Sequence, residues 1–278
     1  MNSSTSIAPL ALTIAGSDCS AGSGLQADLK TFGAFGVFAF TAVTCVVAEV
    51  PGKVSRIDPV GVENVREQIE LLLANFPIAA IKTGLLFSPE IVETVADVLE
   101  EQAKEIPLVV DPVMIATSGD VLLQPAAIEL YRARLFPRAT LVTPNMAEAA
   151  ALSGKSVRDL EEMRAVGSEL KEKFGARFLL KGGHLGAESA VDLLFDKSGV
   201  REFAAPFVAG VSTHGTGCTY SAAITAGLAC GDSLEEAIDR AKEFVSCAIR
   251  DHFVWQSSLG ETHALNHLQG GRFHGPGL

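Results

Sequence analysis

The chain lacks several things, and each lack removes a class of function. No apolar run is long enough to span a bilayer as a helix. Met1–Pro9 has neither the basic start nor the apolar stretch of a signal peptide, which makes the cytoplasm the expected address. Basic residues are scarce: 22 Lys and Arg stand against 33 Asp and Glu, for a net charge of -11. So acidic a chain gains nothing from releasing the counterions of a polyanion, and neither nucleic acid nor anionic membrane is an expected partner. The five cysteines, Cys19, Cys45, Cys218, Cys230 and Cys247, are odd in number and have no C-x-x-C spacing. That argues against a disulfide framework and a zinc site and for reduced thiols. Repeats, linkers and low-complexity segments are also missing, so the expectation is a single domain over residues 1–278, with 1–9 and 260–278 loosely ordered.

What is present is an alternation. Leu10–Ala15 reads as a strand, and a Gly/Ser loop leads from it into a helix from about Leu25 to Phe35. Val37–Val47 is a β-branched and aromatic strand, and Val54–Ile57 continues the sheet after the Pro51-Gly52 turn. Val62, Val65, Ile69, Leu72 and Phe76 keep helical spacing; Ile78–Lys82 is the next strand and Pro89–Ala103 the next helix. Leu108–Val110, Thr140–Val142 and Phe178–Leu180 are short apolar runs, each ending at a polar cluster and separated by helix. Val191–Phe195 and Val200–Phe203 read as a hairpin, and Ser233 with Glu236 caps a last long helix. The pattern predicts an α/β fold whose mainly parallel central sheet is covered on both faces. In such a sheet ligands bind at the carboxyl ends of the strands.

The polar clusters at those ends carry the chemistry. Gly16-Ser17-Asp18 runs into Gly22-Ser23-Gly24-Leu25-Gln26-Ala27, which matches the dinucleotide pattern G-x-G-x-x-A, with Glu49 near the place of a ribose-binding acid. The competing reading is a substrate loop with Asp18 and Asp28 as its carboxylates; Asp28 also suits a solvated first helical turn. Asp111 before Pro112 is placed to hold a metal's water or a lysine, and is equally an ordinary turn. Asn145 and Glu148 suit water around a magnesium–phosphate cluster, and also a plain helix start. Lys181 beside Gly182 and Gly183 offers a mobile charge to a polyphosphate. Residues 212–223 read as a glycine loop turning into a helix of small side chains, in which Gly215 and Gly217 let peptide N–H groups converge on an anion.

In this order the clusters resemble one family. Leu12-Thr13-Ile14-Ala15-Gly16-Ser17-Asp18, Gln26-Ala27-Asp28-Leu29-Lys30-Thr31-Phe32, Lys82-Thr83-Gly84, Asp111-Pro112-Val113-Met114, Ser118-Gly119-Asp120, Thr143-Pro144-Asn145, Lys181-Gly182-Gly183-His184 and His214-Gly215-Thr216-Gly217-Cys218-Thr219 are similar to the hydroxymethylpyrimidine and phosphomethylpyrimidine kinases of thiamin biosynthesis, in the ribokinase superfamily. The resemblance spans roughly Ala11 to Ile249. It implies a three-layer α/β/α ribokinase-like fold, ATP with Mg2+, phosphorylation of a hydroxymethyl group or its phosphate, and a homodimer. It sets Gly16 and Asp28 against a pyrimidine with Val113 near it, Lys181 at the ATP phosphates and Glu148 at the magnesium shell. The amides of Gly215, Thr216, Gly217 and Cys218 would meet the transferring group, and Cys218 stands where most superfamily members have a catalytic Asp.

Two positions depart from the family pattern. Ala48-Glu49-Val50-Pro51 replaces Ala-Gln-Asn-Thr, and Leu85 replaces a Met. The family's Gln gives the aminopyrimidine one donor and one acceptor, whereas an ionised Glu49 keeps only the acceptor. Pyridoxal kinases of the same branch also deviate at this tetrapeptide, so vitamin B6 is the alternative substrate class. A catalytically silent ATP- or pyrimidine-binding regulator is a further alternative, and a dinucleotide oxidoreductase another.

Overall fold

The structure is a computed structural model that describes residues 8–114, 123–183, 189–211, 214–258 and 260–268. Ser118-Gly119-Asp120 and His184 of the motif string, the loop residues Ser212 and Thr213, and the expectations on residues 1–7 and 269–278 lie outside the described residues.

The alternating pattern resolves into strands β1 (Leu10–Asp18), β2 (Phe38–Val50), β3 (Lys53–Pro59), β4 (Ala80–Thr83), β5 (Leu108–Val110), β6 (Leu141–Val142), β7 (Phe178–Lys181), β8 (Ser189–Asp196) and β9 (Gly199–Pro206). They form one nine-stranded sheet in the order β3-β2-β1-β4-β5-β6-β7-β8-β9. The inner strands β2 through β7 are parallel, and β3, β8 and β9 join antiparallel at the edges. From β1 the chain moves outward one way to β2 and β3, then returns and moves the other way from β4. The carboxyl ends of β1 and β4 therefore flank the point where the winding reverses, which is where a ligand crevice opens in such sheets.

Helices α1 (Gly24–Ala34), α2 (Val62–Asn75), α3 (Pro89–Gln102), α4 (Pro125–Leu130, continued by a π-helical turn Tyr131–Leu135), α5 (Met146–Ser153), α6 (Leu160–Phe174), α7 (Thr216–Ala229) and α8 (Leu234–Arg250) cover the two faces. Successive strand residues point to opposite faces. Leu12 and Ile14 of β1 thus join one core with α2 to α6, and Ala11 joins the other with α1, α7 and α8. The outcome is the expected α/β/α sandwich. Asn145 with Glu148 and Ser233 with Glu236 form the reciprocal caps their spacing predicts, starting α5 and α8.

Among the boundaries that differ from the sequence expectation, two change what the chain presents at its ends. The first strand continues three residues past Ala15, carrying Gly16 and Asp18 on the sheet, because β2 keeps pairing with it across a bulge between Ala15 and Ser17. The chain after Gly260 is not loosely ordered as far as it is described. Phe253–Ser257 (β10) and Gly260–Ala264 (β11) pair as an antiparallel hairpin, and Leu265 and His267 are buried beyond it. His267 Nε2 lies 3.0 Å from Thr219 Oγ1, so this end is pinned to α7. The His- and Gly-rich composition hides a short period-2 pattern that pairs only with its own neighbour.

Helix α6 lies against β8 through Gly167, where an added Cβ would stand 2.2 Å from Phe195 Cε2. Phe195 is itself buried, so the ring has nowhere to go. Gly167→Val is expected to cost about 1–3 kcal/mol from overpacking, lowering the thermal midpoint by roughly 2 °C or more. A melt at or above the wild-type midpoint would show that the ring can move aside.

Candidate active site

One cavity at the carboxyl ends of the strands gathers most of the predicted residues. Its lining includes Gly16, Glu49, Leu85, Asp111, Val113, Asn145, Glu148, Lys181, Gly215, Thr216, Gly217 and Cys218. At one end, β7 delivers Lys181 and the segment after β5 delivers Asp111; Lys181 Nζ and Asp111 Oδ1 are 3.0 Å apart, with side chains 12% and 3% exposed. Asp111 thus holds a lysine, one of the two roles expected of it. It also accepts from Thr143 Oγ1 at 3.3 Å and Ser221 Oγ at 3.1 Å. Burial pulls the Lys181 ammonium down, but Asp111 and Glu148 outweigh it and leave the group above its ordinary value, so it is charged. A Cβ on Gly217 would stand 3.0 Å from Lys181 Nζ, so only glycine leaves that space open to a ligand.

Gly217 lies in the first turn of α7, whose N-cap is Gly215 at φ 82. No side chain caps this end and no acidic residue sits in its first turn. The dipole and leading N–H groups of α7 therefore face the cavity beside Lys181. Glu148 lies opposite and is committed to its cap: Oε2 accepts from Asn145 N at 2.8 Å, and Oε1 accepts from Met114 N at 3.2 Å. Burial pushes its carboxyl up to about 7, with Lys181 pulling it down and Asp111 adding to the rise. Two buried carboxylates, a charged lysine and a helix N-terminus form a donor set that fits a polyphosphate with a divalent cation.

The other end is apolar with a polar rim. Cys45, Val47 and Leu85 form a small buried cluster against Val54 and Val113. Val113 adopts φ 25, a strained backbone for a β-branched residue. A Cβ on Gly16 would meet Cys45 Sγ at 2.7 Å, so Gly16 leaves a flat wall. Glu49 lines this end, its carboxylate 3.8 Å from His214 Nε2, and does not point to solvent. Burial, then the charge of Asp18, pushes Glu49 up to about 6 against the pull of His214.

Asp18 does not present itself to a ligand. It accepts from the backbone N–H groups of Ser20, Gly22 and Ser23 at 2.7, 3.1 and 2.8 Å, and His214 Nε2 is 3.1 Å away. Burial opposes ionisation, yet these hydrogen bonds, His214 first, hold its carboxyl well below the usual range. The same contacts remove the dinucleotide reading, because the amides that would bind a pyrophosphate are spent on Asp18. Asp28, expected against the ring, is also elsewhere: it is fully buried behind the cavity wall, bonded to Thr13 Oγ1 at 2.6 Å and Lys82 Nζ at 2.9 Å. Its direction follows from its helix face, which motif order does not reveal. Lys82 and His214 also line the cavity, although the sequence pattern alone assigns neither a role; the signals that mark them are a cation near a strand end and an imidazole just before the glycine loop.

Comparison with known proteins agrees with this geometry. The family model described as phosphomethylpyrimidine kinase matches residues 18–263. The chain is 43% identical over 253 residues to the hydroxymethylpyrimidine/phosphomethylpyrimidine kinase of Streptomyces coelicolor, covering 91% of this chain and 93% of that one. It is 42% identical over 259 residues to the thiamine biosynthesis bifunctional protein of Geobacter sulfurreducens, covering 92% of this chain and 52% of that longer protein. The pyridoxal kinase from Staphylococcus aureus, solved in complex with AMP-PCP and pyridoxal, matches with a TM-score of 0.84 at 34% identity over 96% of each chain. The fold is accordingly ribokinase-like.

The raised carboxyl of Glu148 has a consequence for stability. Between its unfolded value near 4.5 and its folded value of about 7, the folded protein holds a proton that the unfolded chain has released. Stability from this group therefore falls as pH rises through that window. Glu148→Gln removes the penalty and keeps an acceptor for the cap, so its stability relative to wild type should climb between pH 5 and pH 8, by on the order of 2 kcal/mol. Thermal melts at several pH values check this; a constant difference would mean that Glu148 is ionised throughout.

Proposed function

The chain belongs to the phosphomethylpyrimidine kinase family, and from that premise we propose that it phosphorylates 4-amino-5-hydroxymethyl-2-methylpyrimidine and its monophosphate, using ATP, in thiamin biosynthesis or salvage. It is a phosphotransferase. The observation that carries the reading is that one cavity joins a phosphate end, Lys181 with the start of α7, to a flat apolar end walled by Gly16, Leu85 and Val113. A planar ring lying between those walls turns its hydroxymethyl group toward Cys218 and the glycine amides. Lys181 and the amides of Gly215, Thr216 and Gly217 balance the charge that develops as the γ-phosphoryl group transfers, which is the main work in such reactions. Asp111, Glu148 and Asn145 fit a magnesium ion held through water, which would neutralise phosphate charge. The reading includes a homodimer, as the family resemblance implies, and the cytoplasm as its expected address. No described helix is long and apolar enough to cross a membrane.

Glu49 accounts for the departure from the family's Gln. A carboxyl raised to about 6 exchanges its proton near neutrality. Protonated, it offers a donor and an acceptor, the same pattern as an amide. The exchange lets Glu49 share one proton with a ring nitrogen, whichever of the two brings it. The second reading, a pyridoxal kinase, has Glu49 accept from a pyridinium N–H.

Incubation with magnesium-ATP and each acceptor, following ADP, tests the function: a regulator would bind without turnover, and an oxidoreductase would ignore ATP. Glu49→Gln is expected to raise kcat/KM for hydroxymethylpyrimidine at pH 8 by roughly tenfold, through one restored hydrogen bond, and to lower it for pyridoxal. Equal effects on both acceptors would remove Glu49 from ring recognition.

Cys218 is pushed up to about 12 by burial, against the pull of Lys82, so the thiol is neutral in the free protein. A neutral group does not repel a phosphorylated acceptor as a fixed carboxylate does. Cys218→Asp should therefore keep the alcohol reaction and selectively depress the monophosphate reaction; an untouched monophosphate rate would show that charge exclusion is not the reason for the cysteine.

A further inference from the structure

One strand outward from Lys181, on the same face of the sheet, lies a buried ion pair outside the cavity. Lys181 of β7 and Asp192 of β8 are register partners. Side chains directly opposite on antiparallel strands share a face, with Cβ atoms about 4.5–5.5 Å apart, so a buried cation and anion placed this way are expected to pair with each other. Instead, Lys181 Nζ turns to Asp111 Oδ1 at 3.0 Å, and Asp192 Oδ2 is held by Lys242 Nζ of α8 at 2.6 Å. The Lys242 and Asp192 side chains are 11% and 3% exposed, and Lys242 Nζ lies 5.9 Å over the ring of the buried Tyr220 on α7. A pair so far from water costs desolvation on both sides, and apolar residues of similar volume usually serve stability as well or better. Its surroundings point to another use.

That use lies at the other carboxylate oxygen. Asp192 Oδ1 accepts from the N–H of Gly182, the amide that follows Lys181, at 3.1 Å. The same N–H points to the Val191 carbonyl oxygen at 3.0 Å, and a Cβ on Gly182 would stand 2.2 Å from that oxygen. The chain therefore leaves β7 in main-chain contact with β8. On its other side Lys181 is fixed by its own N–H, which donates to the Pro144 carbonyl oxygen at 3.0 Å. Both amides flanking the Lys181 Cα are thus pinned, the second of them through Asp192. We propose that Asp192 is a positioning residue for Lys181. Its Oδ1 fixes the Gly182 amide, and with it the direction in which the Lys181 side chain leaves the strand. Lys242 occupies Oδ2 and so keeps the carboxylate from drawing its cross-strand neighbour Lys181 away from the phosphate end of the cavity.

The inference rests on the reading that sets Lys181 at the ATP phosphates, and one of its two readouts needs no ligand. Two double variants of the full chain are compared. Asp192→Asn with Lys242→Met keeps an acceptor for the Gly182 N–H, and Asp192→Leu with Lys242→Met removes it. Both replace the ion pair with uncharged groups, which buried sites tolerate, so a pair that only stabilises the fold would change both variants alike. Relative to the asparagine variant, the leucine variant should exchange the Gly182 amide about fivefold faster, read by mass spectrometry of its peptide. It should also raise KM for magnesium-ATP about tenfold, leaving KM for hydroxymethylpyrimidine within about twofold. Equal exchange, equal KM for ATP, or an equal rise in both KM values overturns the proposal. A wild-type chain that turns over no acceptor with ATP ends the kinase reading alone, and the exchange rates then decide. Should the leucine variant not fold, Lys242→Gln decides: it releases the carboxylate toward Lys181, and an unchanged KM for ATP overturns the proposal.

Discussion

The carboxyl end of this sheet depends on how closely two backbone loops approach each other. A Cβ on Gly215 would stand 1.8 Å from the carbonyl oxygen of Gly22, so the loop after β1 and the loop before α7 touch main chain to main chain. Gly215 at φ 82 permits the contact, and the Asp18–His214 bond across it fastens it. With the loops so joined, the N-termini of α1 and α7 open into one cavity.

The acidity of the chain fits this arrangement. A net charge of -11 repels a polyphosphate at long range, yet at physiological salt the repulsion fades beyond about 8 Å. Capture is then decided by the few groups inside that distance. Lys181 is held charged by Asp111, and the first turn of α7 adds a partial positive charge that needs no titratable group. Local field and global charge are set by different residues.

Much of the fold was legible because periodicity and caps are local. The strands at Leu108–Val110 and Phe178–Lys181, and the caps Asn145–Glu148 and Ser233–Glu236, stand where the residue pattern puts them. The cavity lining was legible as motif order, since Gly16, Glu49 and Lys181 stand at the carboxyl ends of strands and Cys218 follows a glycine loop into a helix. What was not legible was side-chain direction. Asp28 and Lys82 lie 54 positions apart, and their pairing through the sheet depends on which face of α1 meets β4. Asp18 likewise looked like a ligand group, because nothing in Gly16-Ser17-Asp18 shows that three later amides fold back onto it.

The cavity's charges follow one arrangement. Each cation in it already has an anion: Lys82 has Asp28, Lys181 has Asp111, and His214 has Asp18. Three ionisable groups are left over, Glu49, Glu148 and Cys218, and burial raises all three, to about 6, 7 and 12. At pH 7 the Cys218 thiol is neutral, Glu148 is near half-protonated and Glu49 is mostly ionised, so burial lowers the fixed negative charge that meets an incoming phosphate without abolishing it. A carboxylate of ordinary acidity at any of the three places would meet the ligand's charge in a low-dielectric site, where repulsion at 4 Å is worth about 4 kcal/mol at an effective dielectric of 20. Burial, which weakens these acids, therefore reduces the repulsion that an anionic ligand would meet, and it acts through the same apolar walls that line the cavity.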